Sequence, residues 1–250
     1  MGFGDEIMAL GRIEALYNAT GKPHSIRNKA GETRTHELWR GSPAWGKNAP
    51  EHIIDCPGAR PYIKDFVSQK TTGQRIIYNH DYRARAGQIW LTDLERAFCD
   101  IDHEFAVVSP LVKDNASPNK QWGIENWEKA IENFPIPVYQ LGDHGTKIIK
   151  GARHFVTPTM RLAAAVVEKA SVVMTNEGGL HHLAAAMDTP AVVVFGAFIP
   201  PYLTGYSQHV NLAVETPEGF CGSWTPCQHC KNAMVQIAPD MVKEKAVALL

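Results

Sequence analysis

The chain has 250 residues, a length that favours one large domain or two small ones. Apolar residues make up 44% of it and charged residues 20%, which is the balance of a folded protein and excludes a disordered chain. The 25 Lys and Arg residues nearly balance the 26 Asp and Glu residues, so the formal net charge of −1 argues against a basic nucleic-acid-binding surface over the whole chain.

Neither the apolar runs nor the N-terminal residues point to a membrane span or to secretion. No run approaches the ~18 apolar residues that span a bilayer. Asp5 and Glu6 stand where a signal peptide carries basic residues. The five cysteines are an odd, modest number that suits reduced thiols. We therefore expect a cytoplasmic protein without a transmembrane segment.

The first hundred residues predict a small, loop-rich α/β domain. Apolar spacing from Ile7 to Tyr17 predicts an amphipathic helix, and short strand candidates lie at residues 76–78 and 89–91. A glycine-rich turn that opens a helix normally follows a strand, but Gly2 and Gly4 leave no residues for one. Either the natural start lies upstream or the sheet of this domain lacks its first strand.

From Asp102 onward, apolar runs alternate with helical patterns, which predicts a doubly wound α/β domain with a parallel sheet. The domain boundary is expected near residues 98–104, dividing the chain into residues 1–101 and 102–250. The helix after the second strand is predicted to take Thr157 as its N-cap and Pro158 as its first residue. The predicted strands are 105–108, 137–141, 172–174 and 191–195, and the predicted helices are 122–133, 158–170, 179–187 and 239–250.

The densest motif runs from Thr175 to Ala186, between an apolar strand and an Ala-rich helix. Gly178 and Gly179 let the backbone approach a ligand closely, and the new helix offers unpaired N–H groups that suit a phosphate. Glu177 would lie at the carboxyl edge of the sheet, where open α/β sheets bind ligands, and could accept hydrogen bonds from sugar hydroxyls. The alternative is a plain strand-to-helix turn with a capping acid.

This stretch resembles the donor-site motif of the heptosyltransferase-like glycosyltransferases, glycosyltransferase family nine. The family pattern is an acid, Ser or Thr, Gly, two variable residues and His, followed by a helix of small residues. Glu177, Gly179 and His182 follow that order, with Glu177 where Asp is usual and Gly178 where Ser or Thr is usual. The longer acid could shift the sugar, so the identity of the donor is not carried over.

Other segments resemble the family in the same order. Ser109 ends the strand that opens the nucleotide-binding half, and Gln140 and Gly142 lie at the next strand end, which lines the nucleotide. Lys120, followed by Gln121 and Trp122, resembles the family's Lys-x-Trp segment, in which the lysine reaches the donor phosphate. Taken alone, Lys120 would be a solvated lysine on a loop.

Asp5 resembles the acid of the family's Gly-Asp segment, which opens the first helix and is the family's proposed catalytic base. Asp is also a common N-cap residue, and the two interpretations are compatible. Glu6, about 100° further around the helix, is the competing candidate.

The resemblance implies a GT-B-like architecture of two Rossmann-like doubly wound domains, with the N-terminal one reduced. It implies an inverting transfer of a sugar from a nucleotide-sugar donor to a hydroxyl acceptor, with no required cofactor or metal. The acceptor could be a glycan, a lipid-linked sugar or a modified base. The alternatives are a sugar-nucleotide-binding protein without catalysis, and a sugar-nucleotide epimerase or hydrolase of the same fold.

Cys221, Cys227 and Cys230 have the spacing C-x5-C-x2-C, of which C-x2-C is a common half of a zinc site. A fourth ligand would have to be His209, His229 or a distant residue. We expect these cysteines to be structural, as buried thiols or a disulfide, with zinc ligation and a zinc-dependent interaction module as the alternative.

Overall fold

The computed structural model describes residues 2–27, 32–53, 60–69, 73–112 and 116–250. Among these residues, no helix is both long enough and apolar enough to cross a bilayer. The helices are α1 (Phe3–Thr20), α2 (Asp93–Arg96), α3 (Ile124–Ile131), α4 (Met160–Lys169), α5 (Gly179–Ala186), α6 (Pro201–Thr204), α7 (Gln228–Gln236) and α8 (Pro239–Val247). The strands are β1 (Ser25–Arg27), β2 (Thr33–Arg34), β3 (Glu51–Ile53), β4 (Ile63–Gln69), β5 (Gly73–Tyr78), β6 (Ala106–Ser109), β7 (Val138–Gly142), β8 (Arg153–Val156), β9 (Val172–Asn176), β10 (Ala191–Gly196) and β11 (His209–Ala213).

A six-stranded sheet in the order β11-β10-β9-β6-β7-β8 forms the centre of the molecule. Every neighbouring pair in it is parallel, as the continuous apolar runs predict. The chain builds outward from β6 to β8 and then returns to place β9 on the other side of β6. The strand order therefore reverses between β6 and β9, and such a switch point leaves a crevice outside the carboxyl ends of the two strands.

The four strands predicted in this half are confirmed as β6, β7, β9 and β10, but β8 and β11 were not predicted. Both lie at the edges of the sheet and are only partly buried, so neither carries a long apolar run. The predicted cap of α4 is wrong. Thr159 caps the helix by accepting a hydrogen bond from the backbone N–H of Leu162, whereas the N–H of Thr157 donates to the carbonyl of Gly142.

A second doubly wound domain is not shown. In the described part of the N-terminal half, β2-β1-β3 form one small mixed sheet and β4-β5 form an antiparallel hairpin. Residues 89–91, predicted as a strand, form no strand. Short strands among polar loops do not bury the two faces that a doubly wound sheet needs. The boundary near residues 98–104 stays a prediction.

The two faces of the parallel sheet carry two cores, because successive strand residues point to opposite sides. On one face, Val172 and Met174 pack in a cluster with Trp122, Trp127 and residues of α8. On the other face, Val173, Val193 and Phe195 join a cluster that includes Ile7, Leu10 and Ile13 of α1. The N-terminal helix thus completes the core of the sheet.

The first turn of α1 packs on the first turn of α5, and small residues make the approach possible. A Cβ atom added at Gly4 would lie 2.2 Å from Cδ2 of His182, whereas one at Gly179 would lie 3.7 Å from Cβ of Phe3. The ring of His182 therefore occupies the space that any other residue at position 4 would need.

We expect Gly4→Ala to lower the free energy of unfolding by about 1–3 kcal/mol, because overpacking outweighs the gain in helix propensity. Gly179→Ala, at the first turn of the partner helix, is the matched control, since its added methyl group meets only ordinary van der Waals contact. Urea unfolding measures both variants. Equal stability of the two variants would contradict this packing of α1 on α5.

Candidate functional site

The candidate site lies at the switch point of the sheet. Ser109 ends β6 and is in register with Thr175 of the adjacent strand β9, which ends at Asn176. The side chain of Asn176 ties the two strand ends together, since its amide nitrogen donates to the carbonyl of Pro110 over 2.8 Å. Glu177 follows directly and is 4% exposed.

Glu177, which is buried, forms an ion pair with the partly buried Lys120. The Lys120 ammonium contacts a carboxylate oxygen of Glu177 and also lies 5.4 Å from the centre of the Phe198 ring. Burial on its own would raise the pKa of Glu177, but Lys120, His181 and the hydrogen bonds of the carboxylate outweigh it and hold the pKa below its usual range. The site therefore contains a charged carboxylate and an ammonium group in nearly dry surroundings.

The position of Lys120 is set by its neighbours in a 3-10 turn over residues 118–120. The amide nitrogen of Asn119 donates to the carbonyls of Ser223 and Thr225, both over 2.8 Å, and its side-chain oxygen accepts from the backbone N–H of Cys227 over 2.9 Å. Asn119 is thus fixed at three points, which fixes the backbone that carries Lys120.

Two buried histidines lie in the first turn of α5. His181 accepts a hydrogen bond at Nδ1 from the backbone N–H of Gly178 over 3.0 Å, so it is neutral, and its Nε2 donates to the carbonyl of Thr204 over 2.8 Å. His182 bonds the hydroxyl of Tyr206 through Nδ1 over 2.6 Å, and its Nε2 lies 4.0 Å from Glu177. Burial, together with the neighbouring His181 ring and Lys120, lowers the pKa of His182 well below its usual value.

The rings of His181 and His182 lie close together, with their centres 3.8 Å apart. Both turn toward the chain that follows β10, where Thr204 and Tyr206 supply their partners. His181 closes the helix start at Gly178, while Gly179 and Leu180 begin a helix whose first N–H groups have no partner inside the helix. The positive end of this helix lies beside Lys120 and Glu177, an arrangement that favours an anion.

Asp5 lies in the first turn of α1, at the third helical position and not at the N-cap. Its carboxylate accepts from the backbone N–H of Gly2 over 2.9 Å and from Nε of Arg60 over 3.3 Å. Arg60 also lies 5.5 Å from the ring centre of Trp224. The Asp5 side chain is 7% exposed, so its charge is balanced chiefly by Arg60. Glu6 points elsewhere and pairs with Arg34.

Gln140 and Gly142 are not part of this cluster. Gln140 is in register with Val108, two strands away from β9, and its amide bonds the carbonyl of Lys147 and the N–H of Ile149, each over 3.0 Å. Gly142 packs on Thr146. These contacts position the loop after β7, so a role for either residue in nucleotide binding stays a prediction.

The cysteine segment forms a separate cluster. The Sγ atoms of Cys221 and Cys230 lie 2.8 Å apart as free thiols, and ligand atoms of Cys221, Cys227, His229 and Cys230 all lie within 4.8 Å of one another. Of the histidines considered from the sequence, His229 joins the cysteines, whereas His209 packs against the rings of His181 and Tyr206.

Sequence reasoning missed Arg60, His181, Phe198 and Tyr206. Arg60 and Tyr206 stand in loops without a recognisable pattern, so no sequence signal pointed to them.

A cavity of about 620 Å³ lies beside the cluster and shares Tyr206 with it, but none of the predicted donor-site residues line it.

The buried histidines make stability depend on pH. Burial, with a smaller effect of His181, lowers the pKa of His209 from 6.5 to about 4. In the unfolded chain His209 is protonated below about pH 6.5, whereas in the folded protein it stays neutral down to about pH 4. The free energy of unfolding therefore falls as the pH falls from about 6.5 to about 4.

We expect His209 to account for about 2 kcal/mol of the stability lost between about pH 7.5 and about pH 5. The variant His209→Gln should lose that part of the pH dependence in urea unfolding. His144→Gln, in an exposed loop, is the control and should keep it. A pH dependence that stays the same in His209→Gln would show that His209 titrates normally.

Comparison with known proteins gives one consistent result. Residues 88–234 match the family described as glycosyltransferase family 9 (heptosyltransferase). A family 9 glycosyltransferase of known structure from Veillonella parvula has a TM-score of 0.60 and 13% identity, covering 100% of this chain and 94% of that one. No curated protein matches the chain in sequence.

Two structures from Escherichia coli are also similar. ADP-heptose LPS heptosyltransferase II has a TM-score of 0.50 and 17% identity, covering 66% of this chain and 54% of its own. The iron-containing dodecameric glycosyltransferase TibC has a TM-score of 0.51 and 16% identity, covering 67% of this chain and 49% of its own. The chain thus spans about half the length of these two proteins, and the likeness is one of fold.

Proposed function

The chain belongs to glycosyltransferase family 9, the heptosyltransferase family, and we propose that it transfers a sugar from a nucleotide-sugar donor to a hydroxyl group of an acceptor. One observation carries the proposal. The Lys120–Glu177 ion pair lies beside the start of α5 at the switch point of the parallel sheet. Positive charge for a diphosphate and a carboxylate for sugar hydroxyls thus lie side by side where such sheets bind ligands.

In the proposed donor complex, Lys120 and the start of α5 at Gly178 and Gly179 bind the diphosphate. Glu177 then releases part of its contact with Lys120 and accepts hydrogen bonds from the sugar. His182, neutral because its pKa is lowered, offers Nε2 to the same region. The matched heptosyltransferase II carries ADP-heptose in its name, so ADP-heptose is the first donor to test.

The proposed chemistry is an inverting displacement. The acceptor hydroxyl loses its proton to Asp5 and attacks the anomeric carbon, and the bond from that carbon to the diphosphate breaks on the opposite side. Lys120 and the helix start stabilise the negative charge that develops on the leaving diphosphate. Because these groups supply positive charge at that point, the proposed transfer does not use a metal ion.

The ion pair with Arg60 constrains the role of Asp5. A base must come within about 2.6–3.2 Å of the hydroxyl that it deprotonates, or act through one water molecule. The contact from Nε of Arg60 to the Asp5 carboxylate is long, at 3.3 Å, so in the proposed complex an acceptor hydroxyl competes with Arg60 for the carboxylate. We infer that acceptor binding shifts Arg60 away from Asp5, leaving the carboxylate free to take the proton.

The acceptor remains open among a glycan, a lipid-linked sugar and a modified base.

Two other functions are distinguishable by their products. A binding protein without catalysis would bind the donor and never turn it over, and the small N-terminal half favours that alternative. An epimerase or hydrolase would release an altered free sugar and form no glycoside.

We expect Lys120→Met to weaken ADP-heptose binding about 10- to 100-fold, the worth of one charged hydrogen bond to a phosphate. Because this variant leaves Glu177 buried and unpaired, the double variant Lys120→Met/Glu177→Gln removes both charges together. Isothermal titration calorimetry measures the affinity, and Lys150→Met, on an exposed loop, is the control. Wild-type affinity in both Lys120 variants would refute the proposed phosphate contact.

We expect Asp5→Asn to lower turnover about 10²- to 10⁴-fold with donor affinity nearly unchanged, since the amide keeps its hydrogen bond to Gly2 but cannot take a proton. Glu6→Gln is the matched control in the same helical turn and should retain turnover. Glycoside formation, followed by mass spectrometry, measures both variants. Full activity in Asp5→Asn together with inactivity in Glu6→Gln would transfer the role of base to Glu6.

A further inference from the structure

The cysteine cluster has the donor set and the spacing of a metal site. Three thiols and one imidazole converge from two segments, residues 221–227 and the first turn of α7. Cys227 is the N-cap of α7 and Cys230 lies one turn later, where the positive end of the helix favours thiolates. Three cysteines and one histidine are a common ligand set for structural zinc.

The tautomer of His229 points its lone pair at the cysteines. The hydroxyl of Thr216 donates to the carbonyl of Gly219 over 3.2 Å, so it accepts from Nε2 of His229 over 2.5 Å. In the neutral ring with its proton on Nε2, the lone pair is on Nδ1, which lies 3.9 Å from Sγ of Cys230. A ligating imidazole that donates its other N–H to an oxygen is the usual arrangement around protein-bound zinc.

The distances allow one ion to fit. Tetrahedral zinc with bonds of about 2.3 Å to sulfur holds two sulfurs about 3.75 Å apart. The separation between Cys221 and Cys230 is 2.8 Å and must open by less than 1 Å, while no other ligand atom of the group lies beyond 4.8 Å. The backbone N–H of Ser223 donates to Sγ of Cys221 over 3.4 Å, a contact that stabilises a thiolate. Gly222, at φ of 61°, turns the chain into that contact.

We propose that Cys221, Cys227, His229 and Cys230 bind one zinc ion in a closed tetrahedral site. Four protein ligands leave no open position, so the ion is structural and has no part in the transfer reaction. This assignment replaces the sequence-based expectation that the three cysteines are plain thiols or a disulfide.

The same site would position the proposed phosphate-binding lysine. Asn119, next to Lys120, bonds the carbonyls of Ser223 and Thr225 and the N–H of Cys227, all within the segment that the ion would close. The backbone N–H groups of Cys221 and Gly222 donate to Ala197 and Phe198, and the ring of Phe198 faces Lys120. Zinc would thus fix both segments that hold Lys120 in place. The effect of zinc on donor binding rests on the proposed function, in which Lys120 binds the diphosphate.

Zinc binding is tested on the full chain, purified without chelators or a histidine tag from medium containing zinc and iron. Elemental analysis should find about one zinc per chain, and the mass of the unreduced protein should show no disulfide. Iron in place of zinc, no metal, or a disulfide between Cys221 and Cys230 would each overturn the assignment.

Variants identify the ligands. His229→Ala should lose zinc, while His229→Cys should retain it, since a fourth thiolate completes an equally common zinc site. Cys99→Ala is the control, because Cys99 is a buried free cysteine outside the cluster. Zinc content unchanged in His229→Ala and in Cys221→Ser would refute this ligand set.

Cobalt substitution in the wild-type chain gives an answer even if those variants fail to fold. It should produce a thiolate-to-cobalt charge-transfer band that free zinc abolishes, and absence of the band would contradict thiolate ligation.

In a separate experiment, removing zinc with a chelator should weaken ADP-heptose binding at least tenfold. Zinc content is measured without donor, so a chain that binds zinc but no donor refutes the proposed function alone.

Discussion

A charged carboxylate buried at the switch point of the sheet is the constraint on which the rest of the structure depends. Glu177 follows β9 directly and has almost no access to water. An unpaired buried charge costs about 3–5 kcal/mol, so the fold must bring a cation to it. Lys120 meets that requirement from a turn distant in sequence, and Asn119 holds this turn against the 223–227 segment. The crevice is thereby built from three separate parts of the chain.

The N-terminal half is attached to the same face of the sheet by packing and by one buried arginine. Gly4 allows the first turn of α1, which carries Asp5, to lie against His182 of α5. Arg161 of α4 is 2% exposed, pairs with Glu95 and donates to the carbonyls of Glu37, Arg40 and Trp90. This one side chain therefore ties the segments at residues 37–40 and 90–95 to α4.

The site holds its charges in two pairs, and each pair has a different surrounding. The Lys120 ammonium lies against the ring of Phe198, and the Glu177 carboxylate lies beside His182. Asp5, in the first turn of α1, meets Arg60 over a longer contact of 3.3 Å. The division suits a reaction in which one partner carries a diphosphate and the other a hydroxyl group, and it is the physical basis for the proposed transfer.

The sequence by itself determined the alternation of strands and helices after residue 102, the parallel sheet and the glycine turn after β9, because continuous apolar runs and glycine pairs are local signals. It also singled out Lys120 and Glu177, through their resemblance to a known motif. Only the tertiary structure decided that Arg60 faces Asp5, that both histidines of α5 turn to the same side, and that His229 and not His209 meets the cysteines. It also decided that Gln140 is occupied by its own loop. Each of these depends on which loops meet across the sheet, and that is set by packing between segments far apart in sequence, where no periodic pattern records it.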